Sequence, residues 1–346
     1  MTSKKNILIA PLNWGLGHAA RCIPIIYQLL KQEVNPIIAS DGEALELLKK
    51  EFPKLKHIEL PSYKIQYASN GKLLKWKLLS LTPKIIKATK AEYKIVQKLV
   101  VSENLCGIIS DNRFGIRSDK VPSVIVTHQL NVLSGLTTFF TSKLHQNIIN
   151  KFDECWIPDD KDLNYSGKLS RTDSIKKEKY IGILSRFKKV DLAIKYDLLV
   201  LLSGVEPSRS QLEQKLLSEL KSYKGSVLFV RGKVEPHQKT EVKDNITLCN
   251  FLLTDELQTA LNQSKLVLAR SGFSTIMDLA TLHKKAFFIP TTGQYEQEYL
   301  ATYLQELKVA PFVTQEEFKI EMLQEVKNFS GFINLQNQHQ IDFSLF

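Results

Sequence analysis

The residues that invite a chemical reading lie between Leu266 and Asp278 (LVLARSGFSTIMD), where an apolar strand passes into a helix. Ser271 is a good N-cap, and Gly272 lets a ligand approach the backbone. A helix start carries partial positive charge and N–H donors, so it favours an anion such as phosphate. Ser271, Thr275 and Asp278 are spaced i, i+4, i+7 and share one face, while Phe273, Ile276, Met277 and Leu279 fill the rest. A polar stripe ending in one carboxylate suits a ribose-phosphate, because the carboxylate can accept from two ribose hydroxyls. Taken alone, the stretch reads equally as a capped helix with a solvated aspartate. After the next strand come Glu296 and Gln297. Consecutive parallel strands set their loops side by side, so an acid and an amide fall near Ser271, where they can bind sugar hydroxyls.

A second group of residues lies in the first half. Asn13-Trp14-Gly15-Leu16-Gly17-His18 follows the first strand and opens a helix. A neutral imidazole at His18 has the right basicity to take a proton from a hydroxyl. Asp111 ends another strand of the same series, where it can orient His18, bind an acceptor or simply make a turn. Asp160-Lys161-Asp162 has metal-binding spacing but sits in a polar stretch and reads as solvated. No metal and no cofactor is expected. Cys22, Cys106, Cys155 and Cys249 have neither metal nor redox spacing and read as buried thiols.

The elements that must hold these residues alternate. Strands are expected at Asn6–Ala10, Asn35–Ser40, His57–Leu60, Gly107–Ser110, Pro122–Thr127 and Cys155–Ile157, with helices at Ala19–Lys31, from Glu43, and at Pro83–Val101, with Pro83 in its first turn. After a polar connector, Pro158–Lys179, a second series begins. Its strands are Leu198–Leu202, Ser226–Val230, Ile246–Cys249, Leu266–Ala269 and Ala286–Ile289. Its helices are Ser210–Leu220, Asp255–Ser264, Ser274–Thr281 and Gln294–Leu307. Such alternation implies parallel sheets covered on both faces. The expected architecture is α/β, with two Rossmann-like doubly wound domains facing a cleft, divided at 165/166, the last helical segment returning to the first domain.

The chain has 346 residues and a formal charge of +11. Eight lysines and one acid, Glu92, fall between Gly71 and Val100, interleaved with Trp76 and aliphatics. This pattern fits an anionic lipid surface as well as it fits a helix with a core face and a solvated lysine face. Stacking aromatics and arginines, which nucleic-acid strand binders offer, are scarce there, so no nucleic acid is expected. No run is long and apolar enough to span a bilayer, and no signal peptide is evident, which points to the cytoplasm, with peripheral contact at the inner face of the membrane.

Arg270-Ser271-Gly272 with Thr275 and Asp278 resembles the C-terminal domain of glycosyltransferase family 28, which has the GT-B fold. The resemblance implies that Asp278 grips the donor ribose, where the family more often has Glu. It implies that Glu296 and Gln297 contact the donor sugar and that the Phe251-Leu252 backbone reads the uracil edge. Gly182-Ile183-Leu184-Ser185-Arg186 resembles an element that would turn Arg186 toward the diphosphate. Ser203 and Gly204 stand at the family's glycine-rich loop, although Glu206 repels phosphate and Pro207 lacks an N–H. Gly17-His18 matches the family's Gly-His pair, and His128-Gln129 resembles an acceptor-side segment. The implied activity is inverting transfer of a hexose or N-acetylhexosamine from a UDP-sugar to a hydroxyl, with His18 as base. The basic Gly71–Val100 segment hints at a lipid-linked acceptor. A nucleotide-sugar epimerase of the same fold and a non-catalytic basic membrane-surface protein are the alternatives.

Overall fold

The computed structural model describes residues 5–63, 74–133, 138–204, 206–332 and 340–346. Within them the first unit holds residues up to 63, 75–184 and 340–346, and the second holds residues from 185 to 332.

The first unit is a seven-stranded parallel sheet. Its strands are β1 (Asn6–Pro11), β2 (Asn35–Ser40), β3 (Lys56–Glu59), β4 (Leu105–Asp111), β5 (Ser123–Val126), β6 (Glu154–Ile157) and β7 (Glu178–Tyr180), in the order β3-β2-β1-β4-β5-β6-β7. Helices α1 (Gly17–Lys31), α2 (Gly42–Glu51), α3 (Leu74–Ser102) and α4 (Thr138–Ile149) connect them. The central strands are almost continuous apolar runs because both faces are covered: Ile7, Leu8, Ile9, Ile108 and Ile109 are fully buried. Proline in the first turn of the third helix is not what forms, since α3 already runs from Leu74 and Pro83 lies inside it.

The polar stretch Pro158–Lys179 is not a simple connector. Asp159 is fully buried and accepts from the Ser166 backbone N–H at 2.9 Å and from the Ser166 hydroxyl. That turn carries the chain to β7, which pairs with β6 through Cys155↔Glu178 to Ile157↔Tyr180. Residues 166–180, expected in the second domain, therefore extend the first sheet. A three-residue strand, Glu178-Lys179-Tyr180, two of its residues charged, gives too weak an alternation to be seen in advance. The end of the chain returns to this unit as irregular chain rather than a helix. Ile341 and Phe343 are buried, Trp156 meets the rings of Phe343 and Phe346 edge-on at 5.8 and 6.0 Å, and the Ile341 N–H donates to Gln28 at 2.8 Å. Burial of a phenylalanine this way is worth about 2–3 kcal/mol.

The second unit has six strands: β8 (Tyr196–Leu201), β9 (Val227–Val230), β10 (Thr240–Lys243), β11 (Ile246–Cys249), β12 (Ser264–Ala269) and β13 (Lys285–Phe288). Their order is β10-β11-β9-β8-β12-β13, parallel except for the exposed edge strand β10, which runs antiparallel to β11. Helices α5 (Ser208–Glu219), α6 (Thr254–Asn262), α7 (Phe273–Thr281) and α8 (Tyr295–Glu306) complete the unit, with a 3-10 stretch at Ile320–Asn328. Its core joins Leu198, Val200, Phe229, Leu268 and Phe287 to Phe318 and Leu323 of the C-terminal segment.

Of the lysine-rich segment, residues 71–73 and the side chains from Leu74 to Ile85 lie outside the described residues. Beyond them, Lys87, Lys90, Lys94 and Lys98 are exposed, whereas Glu92, Val96 and Val100 are buried. Glu92 accepts from Arg113 at 2.7 Å and from the Tyr63 hydroxyl at 2.6 Å, and Arg113 also pairs with Asp41. Arg113 is thus a fully buried cation shared by two carboxylates from different elements. Burial raises the Glu92 carboxyl, and the opposing pull of Arg113 and Tyr63 does not cancel the rise.

Candidate active site

In each sheet the chain leaves the central strand toward one edge and later returns to the other side of it. At such a reversal the loops beyond the strand ends part, and ligands of open α/β sheets bind there. In the second unit the reversal falls between β8 and β12, which pair up to Leu201↔Ala269. The loop after β8 carries Ser203-Gly204, and the loop after β12 carries Arg270-Ser271-Gly272. Both glycines border open space: a Cβ added at either meets nothing within 4 Å. Gly204 has φ +103°, a conformation L side chains rarely adopt, so that loop requires glycine. Gly272 is the residue before α7.

Asp278 lies on α7, half-buried, with Oδ1 accepting from the Ser185 hydroxyl at 2.6 Å. Burial raises its carboxyl to about 6, against the opposing pull of Arg186 and the Ser185 bond. Arg186 lies over the Phe187 ring at 4.9 Å, and its Nη1 donates to Thr254 Oγ1 at 3.3 Å. These contacts tie Arg186 to the start of α6 and place it beside Asp278.

Several expected roles change because the side chains are already engaged. Arg270 is 1% exposed and donates to the carbonyls of Ile289, Pro290 and Ser208 at 3.1, 2.9 and 3.1 Å and to Gln315 at 2.8 Å. It braces three chain segments, so its guanidinium is not a ligand contact. Burial lowers its pKa to about 10. Ser271 is not the N-cap; its hydroxyl donates to the Gln297 carbonyl at 2.8 Å. That bond joins the loop after β12 to the first turn of α8, so Glu296 and Gln297 do stand beside the Ser271 loop. Gln297 Oε1 already accepts from the Thr291 N–H at 2.8 Å, which leaves its amide nitrogen to donate. The backbone of Phe251 is occupied on both sides, by Asn250 Oδ1 at 3.0 Å and Gln238 Nε2 at 3.1 Å. Leu252, which follows, makes no backbone hydrogen bond among the described residues. Glu206 pairs with Arg209 and accepts from the Ser210 hydroxyl at 3.0 Å. Burial opposes its charge, yet these bonds hold its carboxyl below the ordinary value, so its negative charge is matched locally.

In the first unit the reversal falls between β1 and β4, which pair up to Pro11↔Asp111. Gly17-His18 opens α1 beside the end of β4. His18 Nδ1 lies 2.7 Å from Asp111 Oδ1. Arg21, one helical turn on, bonds to both Asp111 oxygens and lies 3.0 Å from His128 Nδ1. Burial would raise Asp111, but the Arg21 and His18 charges and hydrogen bonds outweigh it and hold the carboxyl well below the usual range. His18 Nδ1 thus faces the Asp111 carboxylate and, also at 2.7 Å, Arg21 Nη2, and both contacts fix the ring at the start of α1. Arg21 is absent from the sequence reading, although its i+3 spacing from His18 places both on one face. Ser185 and Thr254 are missed for another reason: they act through partners 93 and 68 residues away. Among the described residues no three His, Cys, Asp or Glu side chains are grouped to hold a metal ion.

Residues 205–329 match the family model described as the glycosyltransferase family 28 C-terminal domain. The second unit is a glycosyltransferase family 28 C-terminal domain. A relative from Haemophilus ducreyi, a UDP-N-acetylglucosamine--N-acetylmuramyl-(pentapeptide) pyrophosphoryl-undecaprenol N-acetylglucosamine transferase, is 28% identical over 206 residues. The match covers 58% of this chain and 55% of that protein, so the chain spans about half of that relative's length. The structure of MurG from Acinetobacter baumannii superposes with a TM-score of 0.53 at 15% identity, covering 94% of this chain and 92% of the other. The glycotransferase of kitacinnamycin gives 0.63 at 11% identity, covering 94% and 90%. With parallel α/β sheets of seven and six strands, the chain has the GT-B glycosyltransferase fold.

Proposed function

We propose that this chain is an inverting glycosyltransferase that moves a hexose or N-acetylhexosamine from a UDP-sugar to an acceptor hydroxyl. The observation that carries the reading is the pair of open glycine loops, Ser203-Gly204 and Ser271-Gly272, at the reversal of the family 28 sheet. A diphosphate fits where backbone must approach closely and a helix dipole points outward. Asp278, on the helix that Gly272 precedes, supplies the acceptor a ribose needs, and the Leu252 backbone suits a base edge. The Haemophilus relative uses a UDP-sugar, which supports uridine.

In the proposed reaction, His18 Nε2 takes the proton of the acceptor hydroxyl. The oxygen attacks the anomeric carbon, the bond from that carbon to the β-phosphate oxygen breaks, and UDP leaves with inversion. Charge building on the diphosphate is met by the start of α7. Asp111 stabilises the imidazolium formed. The exposed lysines 87, 90, 94 and 98 of α3 support an acceptor held at an anionic lipid surface, with this chain peripheral to it.

The test is a screen of UDP-, dTDP- and GDP-sugars for calorimetric binding and nucleotide release. UDP-sugars are expected to bind and turn over. His18→Asn is expected to lose about 10²- to 10⁴-fold in turnover with UDP affinity unchanged. Equal affinity for all three nucleotides, or full activity of His18→Asn, overturns the reading.

A further inference from the structure

The second unit begins at Ser185, and its first three residues, Ser185-Arg186-Phe187, are built around one carboxylate, that of Asp278 on α7. A carboxylate hangs on a terminal torsion with a broad minimum. The helix therefore places the Asp278 carboxyl carbon without fixing the plane of its two oxygens. A second contact has to fix that plane before the oxygens can meet a ligand at set positions.

Ser185 supplies that contact. Its hydroxyl donates to Asp278 Oδ1 at 2.6 Å, and its Oγ accepts from the Phe187 N–H at 3.1 Å. A serine hydroxyl has one proton. With the Phe187 N–H arriving at Oγ, that proton goes to Asp278, whose ionised carboxylate only accepts. Phe187 is 1% exposed, so its buried ring anchors the turn from which Ser185 reaches out. Arg186 lies over that ring at 4.9 Å, and its charge pulls against the rise that burial imposes on the Asp278 carboxyl. Among the described residues the Ser185 hydroxyl is the one hydrogen-bond donor to this carboxylate. A carboxylate has about four acceptor positions, so Oδ2 and part of Oδ1 remain, enough for two ribose hydroxyls.

We infer that Ser185 is a positioning residue for the donor nucleotide: its hydroxyl pins Asp278 Oδ1, sets the plane of the carboxylate and leaves Oδ2 for the ribose hydroxyls. This role rests on the proposed contact between Asp278 and the ribose. Without Ser185 the carboxylate plane turns freely and has to be ordered as the ribose binds. That cost falls on a nucleotide with ribose hydroxyls and spares one that lacks them. A serine that merely supported the fold would affect both nucleotides alike.

The test is calorimetry of the full chain with UDP and with 2′,3′-dideoxy-UDP at pH 8, above the Asp278 value of about 6. Wild type is expected to prefer UDP at least about 30-fold, the worth of hydrogen bonds to a charged acceptor. Asp278→Asn is expected to remove most of that preference. Ser185→Ala is expected to lower it about tenfold through weaker UDP binding, with dideoxy-UDP affinity unchanged. Ser185→Thr, which keeps the hydroxyl, is expected to restore it. Should Ser185→Ala not fold, Ser185→Cys, with a thiol that donates weakly, carries the same readout. A Ser185→Ala variant that keeps the wild-type preference, or that weakens both nucleotides equally, overturns the inference while the ribose contact stands. A wild type without the preference, or its retention in Asp278→Asn, refutes the ribose contact, and the role of Ser185 falls with it.

Discussion

Replacing Asp278 with asparagine should make the protein more stable and worse at binding its donor. The Asp278 carboxyl is raised to about 6 by burial, against about 3.9 in an unfolded chain. Between those values the unfolded state has lost its proton and the folded state has kept it. Stability therefore falls as pH rises through this window, and the loss is complete above the folded value. Two pK units correspond to about 3 kcal/mol. Asparagine carries no such cost, and its Oδ1 can still accept from Ser185. The rise to about 6 is already net of the Ser185 bond and the pull of Arg186, so the expected gain is the whole of about 3 kcal/mol. Urea unfolding at pH 8 should thus show Asp278→Asn more stable by about 3 kcal/mol, with the difference gone or reversed at pH 4. In calorimetry at pH 8 the same variant should bind UDP at least about 30-fold more weakly, the worth of a lost charged acceptor. A variant no more stable than wild type at pH 8 refutes the burial argument. Unchanged UDP affinity refutes the ribose assignment.

Two further substitutions probe the same framework. Gly272→Val places a side chain where nothing lies within 4 Å and at an ordinary φ of −72°, so folding should change by less than about 1 kcal/mol. UDP affinity should fall at least tenfold, as calorimetry will show, because the new methyls take the volume assigned to phosphate. Arg113→Leu leaves Glu92 and Asp41 buried without their cation and should cost about 3–5 kcal/mol in urea unfolding. The cost should shrink at low pH as Glu92, whose carboxyl burial raises, takes up a proton.

The sequence alone determined the alternation of strands and helices, and therefore the parallel sheets and the loops that carry chemistry. It could do so because buried central strands are apolar runs and helices repeat every three to four residues, both local signals. The neighbourhood of Ser271 with Gln297 was legible too, since consecutive parallel strands bring successive loops together. Only the tertiary structure decided what each polar side chain is for. Arg270 looked like a ligand contact and is a brace between carbonyls, because its partners come from segments up to 62 residues away. Ser271 looked like a cap and ties two loops. His18 and Asp111, 93 residues apart, were each visible as candidates. Arg21, which makes them one chemical unit with His128, was not. Hydrogen bonds have no periodicity, so their partners are fixed only when sheet order sets distant strand ends side by side.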